Sequence, residues 1–199
     1  MAIDKVTSAS ITTDAVGPTQ LNEASNYAFT GTVTGTPTGL SHFQVFNKTS
    51  DQSVSADTNT TITWTGASTH QPSVGSTLAS VSSGIFSFSQ TGIYMVNANI
   101  TVQMNANDGH SRKAILALKK TTNNSTYTNE ADAETSIPNT DGGELNKGNL
   151  TGQFLVDITD TTNDKFLLQW YLQSNPCTIK TNGTTNDRTI VQIARISDT

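Results

Sequence analysis

The sequence predicts an all-β chain, an antiparallel β-sandwich or jelly roll of about eight to ten strands. Three observations carry that expectation. From Tyr94 onward every second residue is apolar (Tyr94, Val96, Ala98, Ile100, Val102, Met104), and Asn97, Asn99, Thr101, Gln103 and Asn105 occupy the positions between. Side chains alternate faces along a strand, so this is one long strand with an apolar face and an amide-rich face. Charged residues are only 14% of the chain and apolar ones 34%. Thr, Asn, Ser and Gly fill the remainder, which suits strands and turns rather than helices. Lastly, Thr189–Ile196 is apolar on both faces, the pattern of a central strand covered twice.

Along the chain, His42–Phe46 is the first strand, with a turn over Asn47–Gln52. Thr60–Trp64 is the second, with Ile62 and Trp64 on one face. A loop through Pro72 and Gly75 leads to a hairpin strand bearing Phe86 and Phe88, and Gly92 turns the chain into the long strand. Ala114–Leu118 is apolar and flanked by Arg112, Lys113, Lys119 and Lys120, which reads as a solvated strand end rather than a phosphate-binding patch. Thr121–Lys147 is too long for a tight hairpin and too polar for a core, so it is expected to be mostly surface loop. Gln153–Ile158, the turn Thr159–Asp164, Phe166–Leu172, a short piece at Ile179, the turn Asn182–Gly183 and the closing strand complete the chain.

Residues 1–41 differ from the rest of the chain. Val6–Val16 spaces single apolar residues among Thr, Ser and Asp, and Asn26–Gly35 alternates weakly. Neither could form a core alone, so the division expected is an extended arm over 1–41 and a globular domain over 42–199. A thin core in that domain could be supplemented by association with identical chains.

Charge and composition exclude several functions. A net charge of −5 and a pI near 5.0 argue against a sequence-independent grip on nucleic acid. Cys177 is the single cysteine, so neither an internal disulfide nor a paired-thiolate metal site can form. No window approaches transmembrane length, so no membrane insertion is expected. The N-terminus Met-Ala-Ile-Asp-Lys lacks an apolar signal core, so the chain is expected to be made in the cytosol and left unprocessed.

Catalytic signatures are missing. The chain has no Gly-x-Ser-x-Gly elbow, no His-Glu-x-x-His and no Gly-Lys-Ser/Thr phosphate loop, so neither an enzyme nor a cofactor is expected. His42, His70 and His110 sit in or beside polar, turn-like sequence and read as surface or strand-end residues. Asp157, Asp160 and Asp164 lie near one turn, and Asp141 and Glu144 in the long polar stretch. Turn capping explains them better than a calcium site. Trp64 and Trp170 lie on apolar faces and read as core. Tyr127, with Glu130, Asp141 and Glu144, is the candidate set for surface recognition.

Gly84-Ile-Phe-Ser-Phe-Ser-Gln-Thr-Gly92-Ile-Tyr94 resembles the central signature of the jelly-roll trimers that include tumour necrosis factor and the complement globular heads. There an aromatic hairpin strand precedes Gly-x-Tyr and a long alternating strand. Asn149–Ile158 is similar to the penultimate meander, Asn163-Asp164-Lys165-Phe166 to the turn into a core strand, and Arg188–Ile196 to the closing strand. The resemblance spans residues 42–199. It implies a homotrimer with apolar side chains along a threefold axis, for which Tyr94, Trp170, Ile190, Val191, Ile193 and Ile196 are the candidates. In the arm, Ala9–Val16 and Ala28–Gly35 resemble N-terminal segments of fibre and decoration proteins of tailed bacteriophages. That implies a virion-surface protein assembled in the host cytoplasm. The arm would bind phage capsid or tail proteins, with Ile11, Val16, Leu21, Tyr27, Phe29 and Val33 as anchoring residues. A head fibre or decoration is favoured over a tail fibre, because the chain is short and has no repeated shaft. The alternative is a tail-fibre knob that binds a host cell-surface glycan or protein through Thr121–Lys147. A depolymerase-type enzyme ranks last.

Overall fold

The structure, a computed structural model, describes residues 42–105, 109–138, 146–181 and 188–198. The expected arm, residues 139–145 of the long polar stretch and the Asn182–Gly183 turn lie outside them. Among the described residues there is no helix. The strands are β1 (His42–Asn47), β2 (Gln52–Val54), β3 (Thr60–Thr61), β4 (Gly66–Ala67), β5 (Ala79–Ser82), β6 (Ile85–Phe88), β7 (Gly92–Met104), β8 (Arg112–Thr121), β9 (Thr128–Ile137), β10 (Lys147–Ile158), β11 (Lys165–Leu172), β12 (Cys177–Ile179) and β13 (Ile190–Ser197). They form two antiparallel sheets that pack as a sandwich. The first runs β2-β12-β7-β13-β1-β4, with β10 on the free side of β7, and the second runs β5-β6-β11-β8-β9, with β3 beside β11.

The alternation read from Tyr94 onward is β7. Tyr94, Val96, Ala98, Ile100, Val102 and Met104 are fully buried between the sheets. Facing them from the second sheet are Phe86, Leu116, Leu118, Phe166, Leu168 and Trp170, all without accessible surface. Aromatic rings form the centre. Phe86 stacks on Phe166 at 4.7 Å, Phe46 meets Phe86 edge-on at 5.2 Å, and Phe88 lies 4.4 Å from Tyr94. Burial of such rings is the main stabilising term of a sandwich core.

Gly92 explains the Gly-x-Tyr signature. Its φ is +145°, and an added Cβ would fall 2.6 Å from Arg195 Nε and 2.6 Å from the Ser197 carbonyl oxygen. The guanidinium crosses the glycine so that Nε can donate to the Thr91 carbonyl at 2.9 Å. Only glycine supplies both the backbone angle and the room. Two residues on, the Tyr94 hydroxyl donates to the Gln90 carbonyl at 2.7 Å, closing the entry to the strand.

Three expectations change. The Thr121–Lys147 stretch is not mostly loop: it contains the ten-residue strand β9, paired with β8 from Arg112↔Ile137 to Lys120↔Thr128. The signal was hidden because the side of β9 turned to the core carries Ala131 and Ala133, too small to register as an apolar alternation. The Phe86 strand forms its hairpin with β5, through Ser83 and Gly84 at φ 50° and 83°, and lies in the opposite sheet from β7. Two positive-φ residues are what a tight two-residue hairpin needs. Finally, β13 is central between β7 and β1, as expected, but its outer face is only partly covered. Ile190 and Gln192 are half-buried there, and Ile196 beyond them is 51% exposed.

Candidate functional site

The outer face of the first sheet is built by the other half of each alternation. β7 turns Ile93, Met95, Asn97, Asn99, Thr101 and Gln103 outward, all half-buried. β10 adds Asn149, Thr151, Gln153 and Leu155, all exposed, because Leu150, Gly152, Phe154 and Val156 take the core side. β13 adds Ile190 and Gln192, with Ala194 buried beside them. Strand register lines these up in rows: Ala194–Met95–Leu155, Gln192–Asn97–Gln153 and Ile190–Asn99–Thr151. Asn97 Nδ2 donates to Gln192 Oε1 at 3.4 Å, Thr151 Oγ1 to Asn99 Oδ1 at 3.4 Å, and Gln153 Nε2 to the Met95 sulphur at 3.2 Å. The two bonds to oxygen are long, and each side-chain amide keeps capacity for other partners. The three rows carry no ionisable side chain, and Leu155 keeps 63% of its surface exposed.

Below these rows the face ends in a shallow depression of about 500 Å³, lined by Thr101, Lys147, Gly148, Asn149 and Arg188. Thr101 Oγ1 donates to the Arg188 carbonyl at 3.1 Å, and the Thr101 amide donates to Thr189 Oγ1 at 3.2 Å, which fixes its floor. A smaller polar cleft of about 240 Å³ lies at the β8–β9 turn, lined by Lys120, Thr122, Asn123, Thr126, Thr128 and Glu130. Asn123 shapes that turn: its Oδ1 accepts from the amides of Ser125 (3.0 Å) and Thr126 (2.9 Å).

The structure separates the predicted interface residues. Tyr94, Trp170, Val191 and Ile193 have no accessible surface in the single chain. They belong to the protomer's own core and have nothing left to bury against a neighbour, so they do not line an axis. Ile190 and Ile196 remain at the surface. Of the recognition set, Glu130 lines the small cleft, and Tyr127 is half-buried beside it, where burial pushes its phenol pKa up. Asp141, Glu144 and the arm residues Ile11, Val16, Leu21, Tyr27, Phe29 and Val33 lie outside the described residues. Met95 and Leu155 were missed. Leu155 was visible as the one apolar residue in the outward series Lys147, Asn149, Thr151, Gln153, Leu155, Asp157.

Several titratable groups are tied into turns and straps. Asp164 is buried and accepts from the Thr159 amide (2.7 Å), the Thr159 hydroxyl (3.0 Å) and the Asp160 amide (3.2 Å), with Lys120 Nζ 3.7 Å away. Asp160 accepts from the amides of Thr162 and Asn163 and from the Asn163 side chain. Both therefore cap their turn, as expected. Among the described residues no group of three or more His, Cys, Asp or Glu could hold a metal ion. His70 and His110 are exposed and His42 opens β1, half-buried. Cys177 is buried, and burial pushes its thiol pKa up to about 11, offset in part by Trp170. Lys48 is 1% exposed, and its amine donates to Gln52 Oε1, the Thr63 carbonyl and Thr63 Oγ1 at 3.0, 2.8 and 3.0 Å. Burial pushes the Lys48 pKa down, opposed by the Asp51 charge.

No family model matches the chain, and no curated protein matches it in sequence. Solved structures do match. Murine APRIL at pH 5.0 is 10% identical with a TM-score of 0.53, covering 78% of this chain and 98% of its own. Murine APRIL at pH 8.0 is 8% identical with a TM-score of 0.52, over the same shares. Eiger TNF from S. frugiperda is 15% identical with a TM-score of 0.49, covering 79% of this chain and 93% of its own. At such identities the likeness is one of fold. From His42 onward the described chain is an antiparallel jelly-roll sandwich of the kind seen in APRIL, the fold that its Gly-x-Tyr motif implied.

Proposed function

We propose that this chain is a structural protein of a tailed-bacteriophage particle. It is a homotrimeric jelly-roll knob or decoration, held by residues 1–41 to capsid or tail proteins, with a head fibre or decoration favoured. The arm's resemblance to phage fibre and decoration segments supports the virion assignment. The observation that carries the assembly is the outer face of the first sheet: uncharged over three cross-strand rows, rich in amides, and holding Leu155 at 63% exposure. A chain of net charge −5 meets its own copies most readily through a surface without charge. Amides both donate and accept, so such a face is complementary to itself. Exposed apolar residues within a polar surround mark contact surfaces. Deleting residues 1–35 tests the anchor. The expected product is a soluble trimer that no longer joins particles, and one that loads normally overturns the anchor.

A second reading is favoured by the polar cleft at the β8–β9 turn. Its hydroxyls, the Asn123 amide and the Glu130 carboxylate suit a polar ligand such as a host surface glycan. Glycan-array and whole-cell binding by the isolated domain test it. Binding lost on Glu130→Ala supports a recognition knob, and absence of binding to every permissive host counts against it.

A further inference from the structure

Strand β9 runs for ten residues and, among the described residues, pairs with β8 alone. Among the described residues, the backbone N–H and C=O groups of its other edge therefore have no ladder partner. Such an edge is a template for pairing with another chain, and a long one is a standing hazard. Three features of β9 bear on that hazard together. Glu130, Asp132 and Glu134 alternate on the exposed side at two-residue spacing, roughly 6.8 Å apart in a strand. The register slips between Leu118↔Ala131 and Lys119↔Asn129, leaving Glu130 as an extra residue, a bulge that bends and twists the edge. Along most of its length the core side carries only the small Ala131 and Ala133, and Ile137 at its end is already buried, so a newcomer would find little apolar surface to cover.

We propose that Glu130, Asp132 and Glu134 are an edge guard that prevents a second copy of this chain from pairing along β9. In an antiparallel pairing of two such edges the carboxylate rows stand opposite each other, with Cβ atoms about 5 Å apart, where like charges destabilise the ladder. Each carboxylate would also lose water without gaining a donor. The cations in reach are already engaged or offset. Lys113 pairs with Glu134 at 2.7 Å, and Lys119 stands opposite Asn129, whose amide reaches Asp132 at 3.4 Å. The guard concerns how copies are kept apart, so it holds whether or not the particle assignment above is correct.

The test compares three variants of the full chain by sedimentation velocity over a hundredfold concentration range, with circular dichroism as the check on folding. Glu130→Thr/Asp132→Thr/Glu134→Thr keeps β-forming residues but removes the charge. It is expected to form species larger than the wild-type assembly, growing with concentration, while hydrogen exchange of β9 amides slows. Glu130→Lys/Asp132→Lys/Glu134→Lys restores charge of the opposite sign and is expected to sediment as the wild type. Asp132→Thr alone retains the Lys113–Glu134 pair and is expected to shift in the same direction by less. A threonine triple variant that sediments as the wild type throughout, or a lysine triple variant that associates equally, overturns the guard.

Discussion

β9 and β10 are the border strands of the two sheets, and they meet where Gly148 lies against Ile137: an added Cβ there would be 2.7 Å from that side chain. Their exposed sides are treated in opposite ways. β9 presents Glu130, Asp132 and Glu134, whereas β10 presents Asn149, Thr151, Gln153 and Leu155 between Lys147 and Asp157 at its two ends. Their buried sides differ as well. β9 contributes Ala131, Ala133 and, at its end, Ile137, while β10 contributes Leu150, Phe154, Val156 and Ile158. The border strand that sits shallowly on the core carries charge along the middle of its exposed side, and the deeply anchored one keeps charge to its two ends and presents a neutral, partly apolar stretch between them. Exposure alone therefore does not make a contact surface. What matters is whether a partner must desolvate charge to reach it.

The heaviest loss of stability should come from the deeply anchored strand. Phe154 is 5% exposed and its truncation to Ala should cost about 3–5 kcal/mol. Ala133→Gly on β9 should cost no more than about 1 kcal/mol. Urea unfolding of both measures the gap, and equal losses would erase the distinction between the strands. Next comes Gly152, which leaves room for the Phe154 ring: a Cβ would sit 2.6 Å from it and 3.1 Å from Leu116. Gly152→Val should destabilise by about 1–3 kcal/mol through overpacking, read as a lower midpoint at unchanged m-value. Lys113→Ala should cost under about 1 kcal/mol, because its bond to Glu134 joins two side chains that are 45% and 54% exposed.

A still smaller change is expected in acid. Burial pushes the Asp51 carboxyl up, but the Lys180 ammonium and the Thr181 amide outweigh it and hold its pKa below the usual carboxylate value. A carboxylate whose pKa is lower folded than unfolded stabilises the fold above its unfolded value of about 3.9 and loses that contribution as pH falls through the folded value. Asp51→Asn should therefore flatten the fall in melting temperature below about pH 4. An unchanged slope would show that this strap, between the β1–β2 turn and the end of β12, contributes nothing.

The two border strands are unequally legible in the sequence. β7 announces itself because large apolar side chains alternate with polar ones over more than ten residues, and the second half of β10, Gln153–Ile158, does so over six, Leu155 apart; its first half, where Gly148 and Gly152 take inward positions, does not. β9 does not, because its inward residues are alanines and its outward ones acids, the composition of a loop. The fold class, the Gly92 turn and the aromatic core were readable for the same reason as β7. The interface set was not. Burial in the protomer and burial between protomers draw on the same apolar residues, so Tyr94, Trp170, Val191 and Ile193 looked available until the sandwich claimed them. The proposed contact face instead rests on residues such as Asn97, Gln153 and Leu155, which three strands bring into rows only once the sheet is formed.

The proposed assembly stands or falls on copies of this chain meeting through the neutral outer face of β7, β10 and β13. Leu155→Asp places a charge on that face without touching the core, since the side chain is 63% exposed. The decisive measurement is sedimentation equilibrium of the wild type and of Leu155→Asp. The expected result is a trimer for the wild type and a folded monomer, with an unchanged circular dichroism spectrum, for the variant. A variant that remains trimeric, or a wild type that is monomeric at all concentrations, would contradict it.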